Sequence, residues 1–245
     1  MNALRYRLAN PRFHPSAILL AAQLAGVVLY AFVDADRGRA LLSLFGLVVL
    51  VLVARAVERT PALTWISILL GVPIIVLLAV QLANPSDNNV LLALSILLAA
   101  YYLYASYALV RYMFHDAIVT PDELYATGAT FTVLAWGFAY VFLAVQAAWP
   151  ASFTGPGEIG VARSFFELLF LSFTTLTSVG LSDIVPVSSQ ARSMVMIEEV
   201  IGLMYVAIVI SRVVALTVAR QRFASVRPVA STTQLPDADD ANPTT

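Results

Sequence analysis

Glu167-Leu-Leu-Phe-Leu-Ser-Phe-Thr-Thr-Leu-Thr-Ser-Val-Gly-Leu-Ser-Asp-Ile-Val-Pro186 decides how the chain is read. Ser164-Phe-Phe-Glu167 just before it is a capping box, a sharp signal for a helix start. A helix from there to about Thr177 would have ~13 residues and ~20 Å of length, against ~30 Å of hydrocarbon in a bilayer. It can enter a membrane but not cross it. The stretch then ends in hydroxyls, a Val-Gly pair and an Asp. This pattern predicts a segment that enters a bilayer, turns back and lines a pore with its own backbone.

The composition around it agrees. Of 245 residues, 60% are hydrophobic and 12% charged, where a soluble domain carries about 25% charged residues. One soluble core of this size cannot hide that much apolar surface, so lipid is the expected solvent. A formal net charge of -1 argues against a nucleic-acid partner. The absence of Cys excludes disulfides and thiolate chemistry. His14 and His115 are the two histidines; both lie outside the apolar runs, so no enzyme and no cofactor is expected.

Apolar runs at Ala17–Val33, Ala40–Ala54, Ala62–Ala83 and Val90–Val110 precede the decisive stretch, with Gly71 and Pro73 predicting a kink in the third. Thr120-Pro-Asp-Glu123 caps a fifth run that ends near Ala148, and a last one covers about Ala191–Val218. These lengths, ~15–28 residues, suit membrane helices. The expected fold is all-α, with six transmembrane helices and a re-entrant pore helix and filter loop between helices five and six. The domains would be a cytoplasmic arm over 1–16, a four-helix domain over 17–112, a pore domain over 120–220 and a disordered tail over 228–245. With the N-terminus inside, inner segments hold Arg5, Arg7, Arg12, Arg55, Arg59, Arg111, Arg220, Arg222 and Arg227, and outer ones Arg37, Arg39, Arg163 and Arg192. That asymmetry predicts a multi-pass protein of the cell's inner (plasma) membrane with both termini cytoplasmic.

A pore for a small cation replaces hydration water with protein oxygens. Main-chain carbonyls can do so where a permissive residue lets the chain present them together, and Gly180 sits at the centre of the candidate filter. The pore helix would aim its partly negative C-terminal end at the membrane centre. Ser178 adds a hydroxyl at the inner end and Asp183 a carboxylate at the outer mouth.

Thr175-Leu-Thr-Ser-Val-Gly-Leu-Ser-Asp-Ile-Val-Pro186 resembles the signature of tetrameric potassium channels, Thr-x-Thr-Thr-Val-Gly-Tyr-Gly-Asp-x-x-Pro. The resemblance covers about Thr120–Leu216, two fifths of the chain. It implies a homotetramer, with K⁺ (or Na⁺) held by carbonyls of Ser178, Val179, Gly180 and Leu181, and Thr174, Thr175 and Thr177 on the pore helix behind them. It further implies an inner-helix hinge glycine at Gly202, nineteen residues after Asp183. Three positions depart from the pattern: Ser178 replaces a Thr, Leu181 the bracing aromatic, and Ser182 a glycine. The resemblance implies a positive φ at Ser182, at a cost of roughly 1–2 kcal/mol.

Glu198 and Glu199 lie at membrane depth, where ionisable residues point to function. One is expected to attract cations in an inner cavity and the other to bond pore-helix hydroxyls such as Thr174 or Thr175; pairing with Arg192 is the bland alternative. Arg212 is expected to snorkel or pair near the inner gate. Tyr101, Tyr102, Tyr104 and Tyr107 read as packing and interface aromatics. With Arg111 alone at the end of its helix, the fourth run offers no arginine voltage sensor. The leading expectation is a K⁺-conducting, self-associating channel in lipid. The alternatives are a weakly selective cation channel, a transporter and a non-conducting membrane protein.

Overall fold

A computed structural model describes residues 15–32, 48–49, 51–52, 61–114, 121–157 and 160–225. Residues 1–14 of the expected arm over 1–16, most of the second apolar run and the tail over 228–245 lie outside the described residues. Four residues of that second run, Val48, Val49, Val51 and Leu52, are helical. The main elements in chain order are α1 (Pro15–Phe32), α2 (Pro61–Ala83), α3 (Asn88–Met113), α4 (Pro121–Ala148), β1 (Phe153–Thr154), α5 (Phe165–Leu176), β2 (Val185–Pro186) and α6 (Ser189–Ser225).

Three described helices hold stretches long and apolar enough to cross a membrane: Asn88–Arg111, Tyr125–Ala148 and Ser189–Arg212. The apolar stretches of α1 and α2 are shorter, Ser16–Tyr30 and Leu69–Ala83. α5 is shorter still, with 12 residues, close to the ~13 that its capping box and apolar run predict. α6 has 37 residues, ~55 Å at 1.5 Å per residue, so it outreaches a ~30 Å hydrocarbon layer. Its end at Ser225 lies beyond the expected Val218.

α4 is the hub. α3 lies along it, α1 and α5 pack on other faces, and α6 contacts both α4 and α5. The core joins Leu19 of α1, Tyr101, Tyr102 and Leu109 of α3, Val133 and Trp136 of α4 and Leu169 of α5. Tyr102 stacks on Trp136 and Tyr140, and Tyr30 of α1 meets Trp136 and Phe165. Tyr101 and Tyr102 are therefore core aromatics, whereas Tyr107 is exposed. One buried polar contact crosses the same interface: the Thr132 hydroxyl donates to Gln23 Oε1 at 2.6 Å.

The start of α5 follows from its sequence. Ser164 Oγ accepts from the Glu167 N–H at 3.2 Å, and Glu167 Oε2 accepts from the Ser164 N–H at 2.6 Å. Both bonds of the capping box are made, which satisfies orphan donors of the first turn. Ser164→Ala is expected to cost about 1 kcal/mol, read as a lower thermal midpoint of the purified protein. Ser164→Asp, which also caps, should restore it.

Candidate functional site

The C-terminal end of α5 is closed by hydrogen bonds that turn the chain sharply. Thr177 is the cap residue. The Ser178 N–H donates to the Thr175 carbonyl at 2.9 Å and the Val179 N–H to the Thr174 carbonyl at 3.0 Å. These are the two bonds of a Schellman motif, which needs a left-handed residue just past the cap. That residue is Ser178, with φ 59°. The Gly180 N–H also donates to the Thr174 carbonyl, at 3.0 Å, and Gly180 has φ 68°. The expectation for Ser182 is thus corrected. Ser182 is not in the left-handed region; its hydroxyl accepts the Ile184 N–H at 3.0 Å and holds the turn locally. Within this loop the non-glycine residue in the left-handed region is Ser178, because the helix cap, not the far end of the loop, needs the left-handed turn.

The carbonyls around the turn divide into those that accept hydrogen bonds and those that do not. Those of Phe173, Thr174 and Thr175 accept from the turn, and the Thr177 hydroxyl adds bonds to Phe173 at 2.8 Å and Thr174 at 3.2 Å. Among the described residues, the carbonyls of Thr177, Ser178, Val179, Gly180 and Leu181 accept no hydrogen bond. Val179 and Leu181 are exposed, Leu181 by 76%. Asp183 is exposed too, and its carboxylate meets no partner among the described residues.

The loop is held at both ends. β1 pairs antiparallel with β2, Phe153 opposite Pro186 and Thr154 opposite Val185. The Ser152 carbonyl accepts the Val187 N–H at 2.9 Å, and the Ser152 and Ser188 hydroxyls lie 2.9 Å apart. Ser188 Oγ also accepts the Ala191 N–H at 3.1 Å and so caps α6. Ile184 is buried with Phe142, Phe153, Leu168 and Leu171. On the other side, Gln146 makes a two-bond clasp with the main chain of Arg163: its Nε2 donates to the carbonyl at 2.9 Å and its Oε1 accepts the N–H at 2.7 Å. Neither the serine pair nor this clasp was legible as a motif, because each joins residues distant in sequence.

Below the loop lies an open recess of about 340 Å³. Thr174, Thr175, Ser178 and Gly180 form one wall; Glu199, Val200 and Leu203 of α6 form the other. The two adjacent acids therefore part company. Glu199 is exposed on the recess, and Glu198 is buried behind α5. Glu198 Oε1 hydrogen-bonds with the Ser172 hydroxyl, not with Thr174 or Thr175. The Thr174 hydroxyl instead donates to the Leu171 carbonyl at 2.8 Å within its own helix. Arg192 pairs with neither acid: it is exposed, and its Nε donates to the Pro186 carbonyl at 3.3 Å. Arg212 stacks its guanidinium over Phe114 at 4.8 Å, linking the lower part of α6 to the end of α3.

Gly202 lies one turn below Glu198 and meets the backbone of Leu176. A Cβ there would sit 2.4 Å from the Leu176 carbonyl oxygen. α6 runs unbroken through Gly202. This glycine thus serves close helix packing. The contact itself demands a residue without a Cβ.

Residues 128–219 match a protein family described as ion channel, a little over a third of the chain. The matched segment begins in α4 and contains α5, the loop and most of α6, so it holds the whole candidate site. It indicates an ion channel in a membrane. Neither the curated proteins nor the solved structures compared with the chain give a match.

Proposed function

We propose that the chain is one subunit of a homotetrameric channel that passes K⁺ down its gradient across the inner (plasma) membrane. Both termini are on the cytoplasmic side in this reading, and the Thr177–Pro186 loop faces out. The observation that carries it is the run of five unpartnered main-chain carbonyls, Thr177 to Leu181, at the end of a capped half-length helix. Positive φ at Ser178 and Gly180 flanks Val179, which lacks it. Such alternation turns successive peptide planes toward one side, the arrangement a dehydrated cation needs. The negative end of α5 and the Glu199 carboxylate add charge of the right sign beside the recess.

One chain cannot enclose a pore. Its loop lies on the surface, and α6 exposes Met196, Val200, Leu203, Met204, Ile210 and Val214, each by more than half of its area. Copies about a rotation axis would cover the upper part of that face, and lipid the rest. In this mechanism an ion sheds water onto the carbonyls of Ser178, Val179, Gly180 and Leu181. It then moves in single file between the outer mouth at Asp183 and the recess at Glu199. No permanently bound cofactor is required.

The test is ion flux in proteoliposomes with K⁺, then Na⁺, then a cation too large to pass the loop. K⁺ flux that exceeds Na⁺ flux and excludes the large ion is expected; no flux of any cation from an intact oligomer would overturn the reading. A weakly selective cation pore is the second reading. It is favoured by Leu181, which stands 76% exposed where the family pattern has an aromatic. On this account the double change Leu181→Tyr plus Ser182→Gly raises the K⁺/Na⁺ flux ratio. A lower ratio would show that the departures at these two positions do not loosen the filter.

A further inference from the structure

The Ser172 hydroxyl carries one proton but has two oxygen neighbours that ordinarily only accept. The Ala135 carbonyl of α4 lies at 2.9 Å, and Glu198 Oε1 of α6 is closer still. A hydroxyl can donate once and accept twice. Both contacts are hydrogen bonds only if the second proton comes from the carboxyl group. The surroundings point the same way. Ser172 and Glu198 are each fully buried, and Glu198 Oε2 has no partner among the described residues. An ionised carboxylate buried with one bond and no cation would be costly.

Among the described residues, no cation faces the pair from the elements packed against it. α5 carries Glu167 alone, at its N-terminus and engaged in the capping box. α4 carries Asp122 and Glu123, twelve or more residues before Ala135. Its tyrosines are Tyr125 and Tyr140, and Tyr140 packs against Tyr102 and Phe165. On α6, Glu199 lies on the recess and Arg192 bonds Pro186, while Tyr205 donates to the Thr127 carbonyl.

We infer that Glu198 is held as a neutral carboxylic acid that positions the pore helix, donating to Ser172 Oγ, which in turn donates to the Ala135 carbonyl. The relay ties α6, α5 and α4 together one helical turn from the Gly202–Leu176 contact. Ser172 and Leu176 on α5 are four residues apart, as are Glu198 and Gly202 on α6, so the two contacts stack in register. Together they fix the height of the helix end from which the Ser178–Leu181 carbonyls emerge. Glu198 is a positioning residue in this scheme and touches no ion. The effect on selectivity rests on the channel reading above; the protonation of Glu198 does not.

Infrared difference spectroscopy of the purified full-length protein at neutral pH tests the protonation directly. Wild type minus Glu198→Gln should show a protonated-carboxyl C=O band. Ser172→Ala should shift that band to higher frequency, because its hydrogen-bond acceptor is gone. Absence of the band at neutral pH overturns the inference. In proteoliposomes, Glu198→Gln keeps a donor and should retain the wild-type K⁺/Na⁺ flux ratio, whereas Glu198→Ala should lose most of the K⁺ preference. Equal losses in both variants would overturn the positioning role. If wild type passes no cation, the channel reading fails, and the band still decides the state of Glu198.

Discussion

Gly202→Ala is expected to weaken the joint between α5 and α6 and to lower both the stability of the protein and its ion flux. The added methyl would sit 2.4 Å from the Leu176 carbonyl oxygen and 3.0 Å from that residue's carbonyl carbon and Cα. These are backbone atoms of a helix, so no side chain can rotate away. Overpacking of this kind costs about 1–3 kcal/mol. In a helix interior, Ala otherwise gains about 1 kcal/mol over Gly. The clash therefore outweighs or cancels the gain, or α6 slides away from α5. Gly71→Ala is the matched control, since nothing lies within 4 Å of a Cβ at that position. It should be neutral or stabilising in a thermal unfolding or oligomer-dissociation assay. Gly202→Ala as stable as Gly71→Ala would show that the two helices do not need this approach.

That contact also marks how far the sequence could be read. The half-length α5 was legible because its determinants are local: Ser164 and Glu167 are three residues apart and apolar residues follow. Gly180 was legible as a permissive position for the same reason, and its φ is 68°. The placement of Glu198 and Glu199 was not. Adjacent residues on a helix point about 100° apart, and both faces of α6 read as apolar, so nothing in the sequence said which acid met the recess. The family pattern points to the loop's far end at Ser182, whereas the Schellman turn places the left-handed residue at Ser178. The tyrosines of α3 divided only once Trp136 and Tyr140 were in place opposite Tyr102. Long-range pairs leave no periodic trace, which is why Ser172–Glu198 and Ser152–Ser188 emerged only from the fold.

Physically, the site is a short loop with few contacts of its own. From Thr177 to Gly180 its main-chain N–H groups lean on α5, while the carbonyls from Thr177 to Leu181 stay unpaired among the described residues. A segment of that kind keeps its shape only if both ends are fixed, because unpaired backbone otherwise relaxes toward water or toward other donors. Three anchors supply this: the Gly202 and Glu198 contacts below, the β1–β2 pair with Ser152 and Ser188 above, and Gln146 behind. Conduction would favour this division, since carbonyls that hydrogen-bond to protein cannot also replace hydration water.

Gln146→Leu is the variant expected to remove the third anchor, with a large effect for so small a change in shape. Both Gln146 and Arg163 are buried. The Gln side chain satisfies the N–H and the carbonyl of the residue just before the α5 cap. Leu fills similar volume but pairs with neither. Each orphaned buried group costs about 1–3 kcal/mol, so the loss is on the order of 2–6 kcal/mol, enough to outweigh any gain from the added apolar surface. Arg163 keeps other contacts, with Nη1 donating to the Pro156 carbonyl at 2.8 Å and lying 3.7 Å from Glu167 Oε1. The loosening should therefore be local. Amide hydrogen exchange is expected to rise across residues 160–168 and to stay unchanged in α3. Gln146→Glu, which keeps an acceptor for the Arg163 N–H but offers the carbonyl no donor when ionised, should fall between wild type and Leu. Protection at Arg163 that is equal in all three proteins would show that the clasp does not hold the start of α5.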